Sequence, residues 1–372
     1  MNAKYYRRFS LAIVASLVIS VFLSYGRARE SLPVHVVNQR TGWAKAKSCE
    51  ACHIEADHFA LTGHAQTMSP ANSEASLELL SQLATFPVAV ADNVRIEQRD
   101  DQVYAVHTYD GTSQEIRLDW CFGSGLHART WLGVLGDSWG ATDQVEFRWT
   151  WYHQLEGFDL TPGQPEKSLS GYFGHLGLLF DHPKTRRCFA CHATRLPIDE
   201  GRVDYSQIIP GVQCQRCHGP QKEHVDTDGY VIEHSWSEID HVESVNRCAQ
   251  CHRRAEEMEN EEIVPENKFL ARFQPIGLTH SACFNSEKMT CIICHDPHLP
   301  LGQQKLDGIW QCVQCHDGTP EKHGLCGAGQ KKDCIGCHMP KVTGDVPVTF
   351  TDHWIRVRTD TAPGKTDGSK ND

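Results

Sequence analysis

Gly211-Val-Gln-Cys214-Gln-Arg-Cys217-His218-Gly-Pro220 holds two thiols three positions apart, with an imidazole directly after the second. One such cysteine pair reads as a zinc knuckle or a redox dithiol as readily as anything else. The rest of the chain decides, because Cys-x-x-Cys-His occurs seven times. The copies open at Cys49, Cys188, Cys214, Cys248, Cys291, Cys312 and Cys334 and close at Cys52, Cys191, Cys217, Cys251, Cys294, Cys315 and Cys337. The histidines that follow are His53, His192, His218, His252, His295, His316 and His338. Neither zinc nor a dithiol requires a histidine after every pair. Attachment of a c-type haem does: the thiols add across two vinyl groups, and the adjacent imidazole becomes the proximal iron ligand. The sequence predicts seven covalently bound c-type haems.

These motifs absorb all but three of the 17 cysteines, leaving Cys121, Cys283 and Cys326. An odd remainder leaves at least one unpaired. Cys283 and Cys326 flank the fifth and sixth motifs and could form a disulfide in an oxidising compartment; burial as small hydrophobes is the alternative. Maturation of c-type haem happens outside the cytoplasm, and the N-terminus carries a matching address. Lys4, Arg7 and Arg8 precede an apolar run from Leu11 to Leu23. Residues 1–28 read as a secretory signal. The run is short for a spanning helix, and an uncleaved membrane anchor is the alternative. The expected location is periplasmic or otherwise exported. A formal charge of −11, to which haem propionates add, argues against nucleic acid and fits a basic protein partner or none. The haems themselves call for redox partner proteins, a donor and an acceptor.

Motif spacing organises the chain. The first motif stands alone in an N-terminal haem segment at 45–84, and six more crowd between Cys188 and His338, within a six-haem domain at 168–357. So little chain per haem cannot build an ordinary apolar core, so the macrocycles must form it. Between these parts, residues 73–84 read as a short helix and 85–156 as a β-meander. Val94–Gln98 and Gln102–Tyr109 alternate, and Asp110-Gly111 marks a tight hairpin turn. Trp120, Trp131, Trp139, Trp149 and Trp151 fall in this stretch, which suits a small β-domain with its own core. Residues 157–167 read as a linker and 358–372 as a polar tail. The expected class is α+β: a mainly helical and irregular multihaem cytochrome c fold with haems as core, plus an inserted small antiparallel β-domain.

Several strings carry a family resemblance. They are Gly211 to Pro220 with His224, Cys291-Ile-Ile-Cys-His-Asp-Pro-His298, and Cys334-Ile-Gly-Cys-His-Met-Pro-Lys341 followed by Phe350-Thr-Asp-His-Trp354. Gly63-His-Ala-Gln-Thr-Met68 and Gly123-Ser-Gly-Leu-His127 add to them. Together they resemble bacterial multihaem cytochromes c related to the nitrifiers' tetrahaem cytochrome, pentahaem nitrite reductase and hydroxylamine oxidoreductase. The likeness covers most of residues 45–357.

The chemistry turns on the far side of each iron, since two strong ligands give an electron carrier and an open position can bind substrate. The resemblance implies His64 as a distal ligand; a surface histidine after a short helix is the alternative. Met68, four residues on, suits packing better than ligation. His224 follows a Gly-Pro turn that throws the chain back towards a neighbouring haem. His298 lies too close to His295 to reach the far face of the same haem, and the resemblance implies that it ligates a neighbour. His353, beyond the last motif, completes the candidate distal set; Asp352 beside it is a candidate orienting group. His127, His175, His182, His234, His241, His280 and His323 form a second tier. His35, His58, His107 and His153 read as structural or exposed.

The nitrite reductases typically carry Cys-x-x-Cys-Lys at the catalytic haem, which this sequence lacks. The hydroxylamine oxidases use a tyrosine cross-link, and nothing marks Tyr152, Tyr172, Tyr205 or Tyr230 for that role. Electron transfer between respiratory redox partners is therefore the expected function, with no catalytic residue assigned. The alternative is a reductase or oxidoreductase of a small nitrogen or sulfur compound at one five-coordinate haem. Arg129, Arg186, Arg187, Arg216, Arg253 and Arg254 are its candidate anion-binding groups, or equally propionate partners.

Overall fold

A computed structural model describes residues 42–83, 93–135, 142–169, 173–199, 202–232, 236–304, 310–316 and 333–358. The signal reading, nearly all of the tail, Trp139, Tyr172, His234, His323 and Cys326 fall outside them, and with Cys326 the proposed disulfide to Cys283.

The β-rich part comprises two sheets. Val94–Arg99, Gln102–Tyr109 and Thr112–Leu118 form an antiparallel meander. Its second turn closes with Tyr109 opposite Thr112. Asp110 and Gly111 there both have positive φ, 48° and 75°, as a tight hairpin turn of matching twist requires. The larger sheet has seven strands, with Met68–Pro70, Trp120–Phe122, Ala128–Val134, Thr142–Phe147 and Gly177–Asp181 in order. Trp149–Tyr152 pairs with Ala128–Val134 and with Gly157–Leu160.

This sheet exceeds the expected bounds of the meander on both sides. The region read as a linker begins with a strand, Gly157–Leu160, because Glu156 adopts a left-handed conformation and turns the chain back onto Trp149–Tyr152. Gly177–Asp181 becomes an edge strand against Thr142–Phe147. Both segments are short and carry little alternation of their own, so their pairing follows from partners already in place.

Helix Glu74–Gln82 lies on the larger sheet. Trp131, fully buried, donates its indole N–H to Ser76 Oγ at 2.7 Å, and Ser76 Oγ donates to the Ala71 carbonyl at 2.7 Å. Around them pack Leu80, Leu83, Phe147, Trp149, Phe158 and Leu176. A second cluster joins Met68, Phe122 and Leu132 of the sheet to Phe189, Ala190 and Leu196. Met68 is thus a packing residue. Phe189 and Ala190 lie in helix His182–His192, which carries the second motif, so the β-part is continuous with the haem-binding part.

From residue 182 onward the elements that carry motifs are helices of 4 to 12 residues. His182–His192, Cys214–His218, His241–His252 and Cys334–His338 each contain or end on a motif. Asp181, Asp240 and Asp333 cap three of these with their carboxylates. Buried aliphatics are few here, while Ile54 (84 % exposed), Ile292, Ile293 and Trp310 lie open beside motifs. Such apolar surface next to paired thiols is what a macrocycle would cover.

One buried acid is a liability of the β-part. Glu146, on strand Thr142–Phe147, is pushed up from 4.5 to about 7 by burial, against a hydrogen bond from Gln164 and the charge of Lys184. Its folded pKa lies above the unfolded value, so the protonated form suits the fold. The cost begins as pH rises past the unfolded pKa and is complete above the folded one. Glu146→Gln is expected to leave stability nearly unchanged at about pH 4 and to raise it by on the order of 2 kcal/mol at about pH 8. Denaturant midpoints at the two pH values measure this, and equal gains at both would contradict it.

Candidate haem sites

Four of the motif histidines each face a second imidazole. His53 stands 6.2 Å from His224, ring centre to ring centre, and His218 is 6.1 Å from His298. His252 is 6.1 Å from His64, and His295 is 6.1 Å from His353. The structure thus brings all four candidate distal residues to motif histidines, and each pair joins different parts of the chain. His298 meets the third motif rather than its own fifth. His64, just after the first motif, meets the fourth.

The spacing fits an iron between the rings. Two metal–nitrogen bonds of about 2 Å each, plus the reach of two five-membered rings, put the centres on the order of 6 Å apart. The outer nitrogens support the same fit. His224 donates its Nδ1–H to the Val231 carbonyl at 2.8 Å, and His353 to the Thr351 carbonyl at 2.8 Å. Nδ1 of His252 meets Gln274 Oε1 at 3.2 Å, and Nδ1 of His295 meets Gln304 Oε1 at 3.2 Å. Nδ1 of His298 meets Asp296 Oδ1 at 3.2 Å. A ring engaged at Nδ1 keeps the Nε2 lone pair for a metal. Burial, with the neighbouring His252 and His295, lowers His64 to about 4, and burial also lowers His218, His252 and His353. These imidazoles are neutral at neutral pH, as ligation requires.

Asp352 does not orient His353. It accepts a hydrogen bond from Trp354 N–H and ion pairs from Arg356 and Arg358. The histidine turns instead to a carbonyl two residues back, a contact the strand Thr349–Thr351 makes local.

Two glycines let the distal segments come close. Gly211 has φ +72°, and a Cβ there would lie 2.2 Å from the Ala65 carbonyl. The Val212 N–H donates to the His64 carbonyl at 2.9 Å, so the chain before the third motif clamps the backbone of His64. A Cβ on Gly277 would lie 2.6 Å from Trp354 N, next to His353. Ser281 Oγ reaches the Gly277 and His353 carbonyls. The sequence had flagged Gly211 only as part of a string. Gly277, Ser281, Gln274 and Gln304 carried no signal, because their partners lie far along the chain or depend on fold.

The motifs also touch one another. The thiols of Cys49 and Cys214, Cys191 and Cys251, Cys248 and Cys291, and Cys312 and Cys334 lie within hydrogen-bond reach. Electrostatic coupling joins Cys217 to Cys248 and Cys312 to Cys294. All seven attachment sites thus form one connected group.

Other histidines behave differently. His192 donates Nδ1–H to the Thr67 carbonyl at 3.1 Å, and the ring packed on it is Phe122, 5.2 Å away and nearly perpendicular. His338 donates Nδ1–H to the Arg356 carbonyl at 2.9 Å. Among the second tier, His280 bonds the Ile276 carbonyl, His241 packs on Phe284, and His127 on Phe350. His175 stacks on buried His107 at 4.1 Å, nearly parallel, too close to admit an iron between the rings. His182 opens the helix that carries the second motif. Tyr152 is buried with its hydroxyl donating to the Leu160 carbonyl, and Tyr230 is exposed. Of the candidate anion-binding arginines, Arg129 donates to the Ser124 carbonyl, Arg216 to Gln250, and Arg253 stacks over Phe273.

Among the described residues no helix is long and apolar enough to cross a membrane. No curated protein and no solved structure matches the chain. The family described as Cytochrome c554 and c-prime matches residues 175–219, which contain the second and third motifs. That match supports a place for this chain in a cytochrome c family and, with it, covalently bound haem of the c type.

Proposed function

We propose that this chain is an exported seven-haem cytochrome that passes electrons between respiratory redox partners, and that it belongs with the multihaem cytochromes c of the nitrifier type. The observation that carries this reading is the set of four imidazole pairs at 6.1–6.2 Å. When bound, the haem iron carries one electron at a time. His53 with His224, His218 with His298, His252 with His64 and His295 with His353 would hold it, one imidazole pair to each iron. Their Nδ1 partners fix ring orientation and keep the ligating nitrogens aimed inward. The contacts between motifs keep neighbouring groups close, as transfer along a chain requires. His316 and His338 are proximal ligands on the motif alone.

One observation favours a second reading. Phe122, rather than an imidazole, packs on His192. An iron held by His192 alone would be five-coordinate and open to a small nitrogen or sulfur compound. The assay that separates the readings supplies nitrite, hydroxylamine and tetrathionate to the chemically reduced protein. The carrier is expected to turn over none of them while another cytochrome oxidises it quickly. Sustained turnover at about 1 per second or faster would replace the carrier with the reductase.

A further inference from the structure

Arg216 lies between the two cysteines of the third motif and is only 7 % exposed. Its Nη1 donates to Gln250 Oε1 at 3.0 Å. Its Nη2 donates to the Ala190 carbonyl at 3.3 Å and sits 3.8 Å from Cys251 Sγ. Ala190 belongs to the second motif, and Gln250 and Cys251 to the fourth. One side chain therefore joins three attachment sites. Gln250 and the Ala190 carbonyl are neutral, and the buried Nε has no hydrogen-bond partner among the described residues. A guanidinium stays charged in any protein setting. A fixed positive charge thus lies buried where three motifs meet, and none of these contacts among the described residues is to a carboxylate.

We propose that Arg216 raises the reduction potentials of the haems attached at the second, third and fourth motifs, so that electrons collect at this junction. The inference rests on the haem-binding reading above. Reduction adds one negative charge to an iron centre, and a nearby fixed cation favours that state. The effect falls with distance and strengthens where water is excluded. Arg216 reaches residues of the second and fourth motifs and lies within the third, so these three feel it most. No proton transfer is involved: the electron arrives from the donor protein and leaves to the acceptor.

The test is a spectroelectrochemical titration of the mature protein beside three variants. Arg216→Gln removes the charge and keeps a polar side chain. Arg216→Lys keeps the charge. Gln250→Glu keeps the arginine and sets a carboxylate against Nη1. In Arg216→Gln and Gln250→Glu, two or three haems are expected to lose about tenfold in reduced-to-oxidised ratio at fixed potential, about 59 mV for a one-electron couple. The other haems stay where they were, and Arg216→Lys stays near the parent. Where Arg216→Gln does not mature with its haems, Gln250→Glu decides alone. Unmoved titrations in Gln250→Glu, or an equal shift in Arg216→Lys and Arg216→Gln, overturn the inference while leaving the haem reading intact. A parent protein without reducible haem at these motifs removes both.

Discussion

His298→Ala is expected to convert one low-spin haem into a high-spin haem that binds carbon monoxide, and the haem expected to change is the one attached through Cys214 and Cys217. His298 stands 6.1 Å from His218, with the rings close to parallel. Its own motif histidine, His295, faces His353 instead. Losing a strong-field imidazole leaves a five-coordinate iron, and only such an iron offers carbon monoxide a vacant position. Electron paramagnetic resonance of the oxidised protein counts the high-spin centres, and a carbon monoxide difference spectrum of the reduced protein titrates the new one. The expected gain is one centre. His175→Ala serves as the control, because that ring stacks on His107 at 4.1 Å and has no iron to release. An unchanged spin count in His298→Ala, and likewise in His64→Ala, His224→Ala and His353→Ala, would rule out the four ligand pairs.

The Cys248→Ala, Cys251→Ala double variant is expected to lose one haem of seven and most of its resistance to unfolding. Intact mass of the mature parent should exceed that of the bare polypeptide by seven haems, and the variant by six. A parent mass that accounts for five or fewer would end the seven-haem reading. The stability effect follows from position. Cys251 touches Cys191, Cys248 touches Cys291, and His252 faces His64 from the far end of the chain. Loss of that macrocycle would leave a hole beside the second and fifth motifs and His64, in a region with few buried aliphatics to close it. A loss on the order of 5 kcal/mol, beyond the usual cost of emptying a large core position, would lower the melting temperature by roughly 10 °C or more. Thermal unfolding followed at the haem bands measures it.

Local chemistry made the attachment sites legible without a fold. Two thiols and an imidazole on one short segment suffice for a candidate haem site, so Cys49 to His53 and its six counterparts could be named from sequence as candidates. The hairpin at Asp110-Gly111 was legible for the same reason: the left-handed conformation it needs belongs to those two residues. The distal histidines were legible only as candidates. His298 sits three residues from His295, and adjacency alone cannot say that it turns towards His218. The lone sequence cue, that it lies too close to reach over its own haem, excluded one partner and named no other. The strand Gly157–Leu160 was read as linker because its pairing depends on Trp149–Tyr152 being present to receive it. Asp352 was offered as an orienting group for His353 and instead takes two arginines. Arg216 looked like one basic residue among several. Its burial among three motifs appears only when Ala190 of the second and Gln250 and Cys251 of the fourth arrive around it. Sequence by itself determined which residues are candidates for covalent attachment and which adopt a local conformation. Tertiary structure decided which groups meet across long stretches of chain, because axial pairing and the burial of charge depend on where distant segments come to rest.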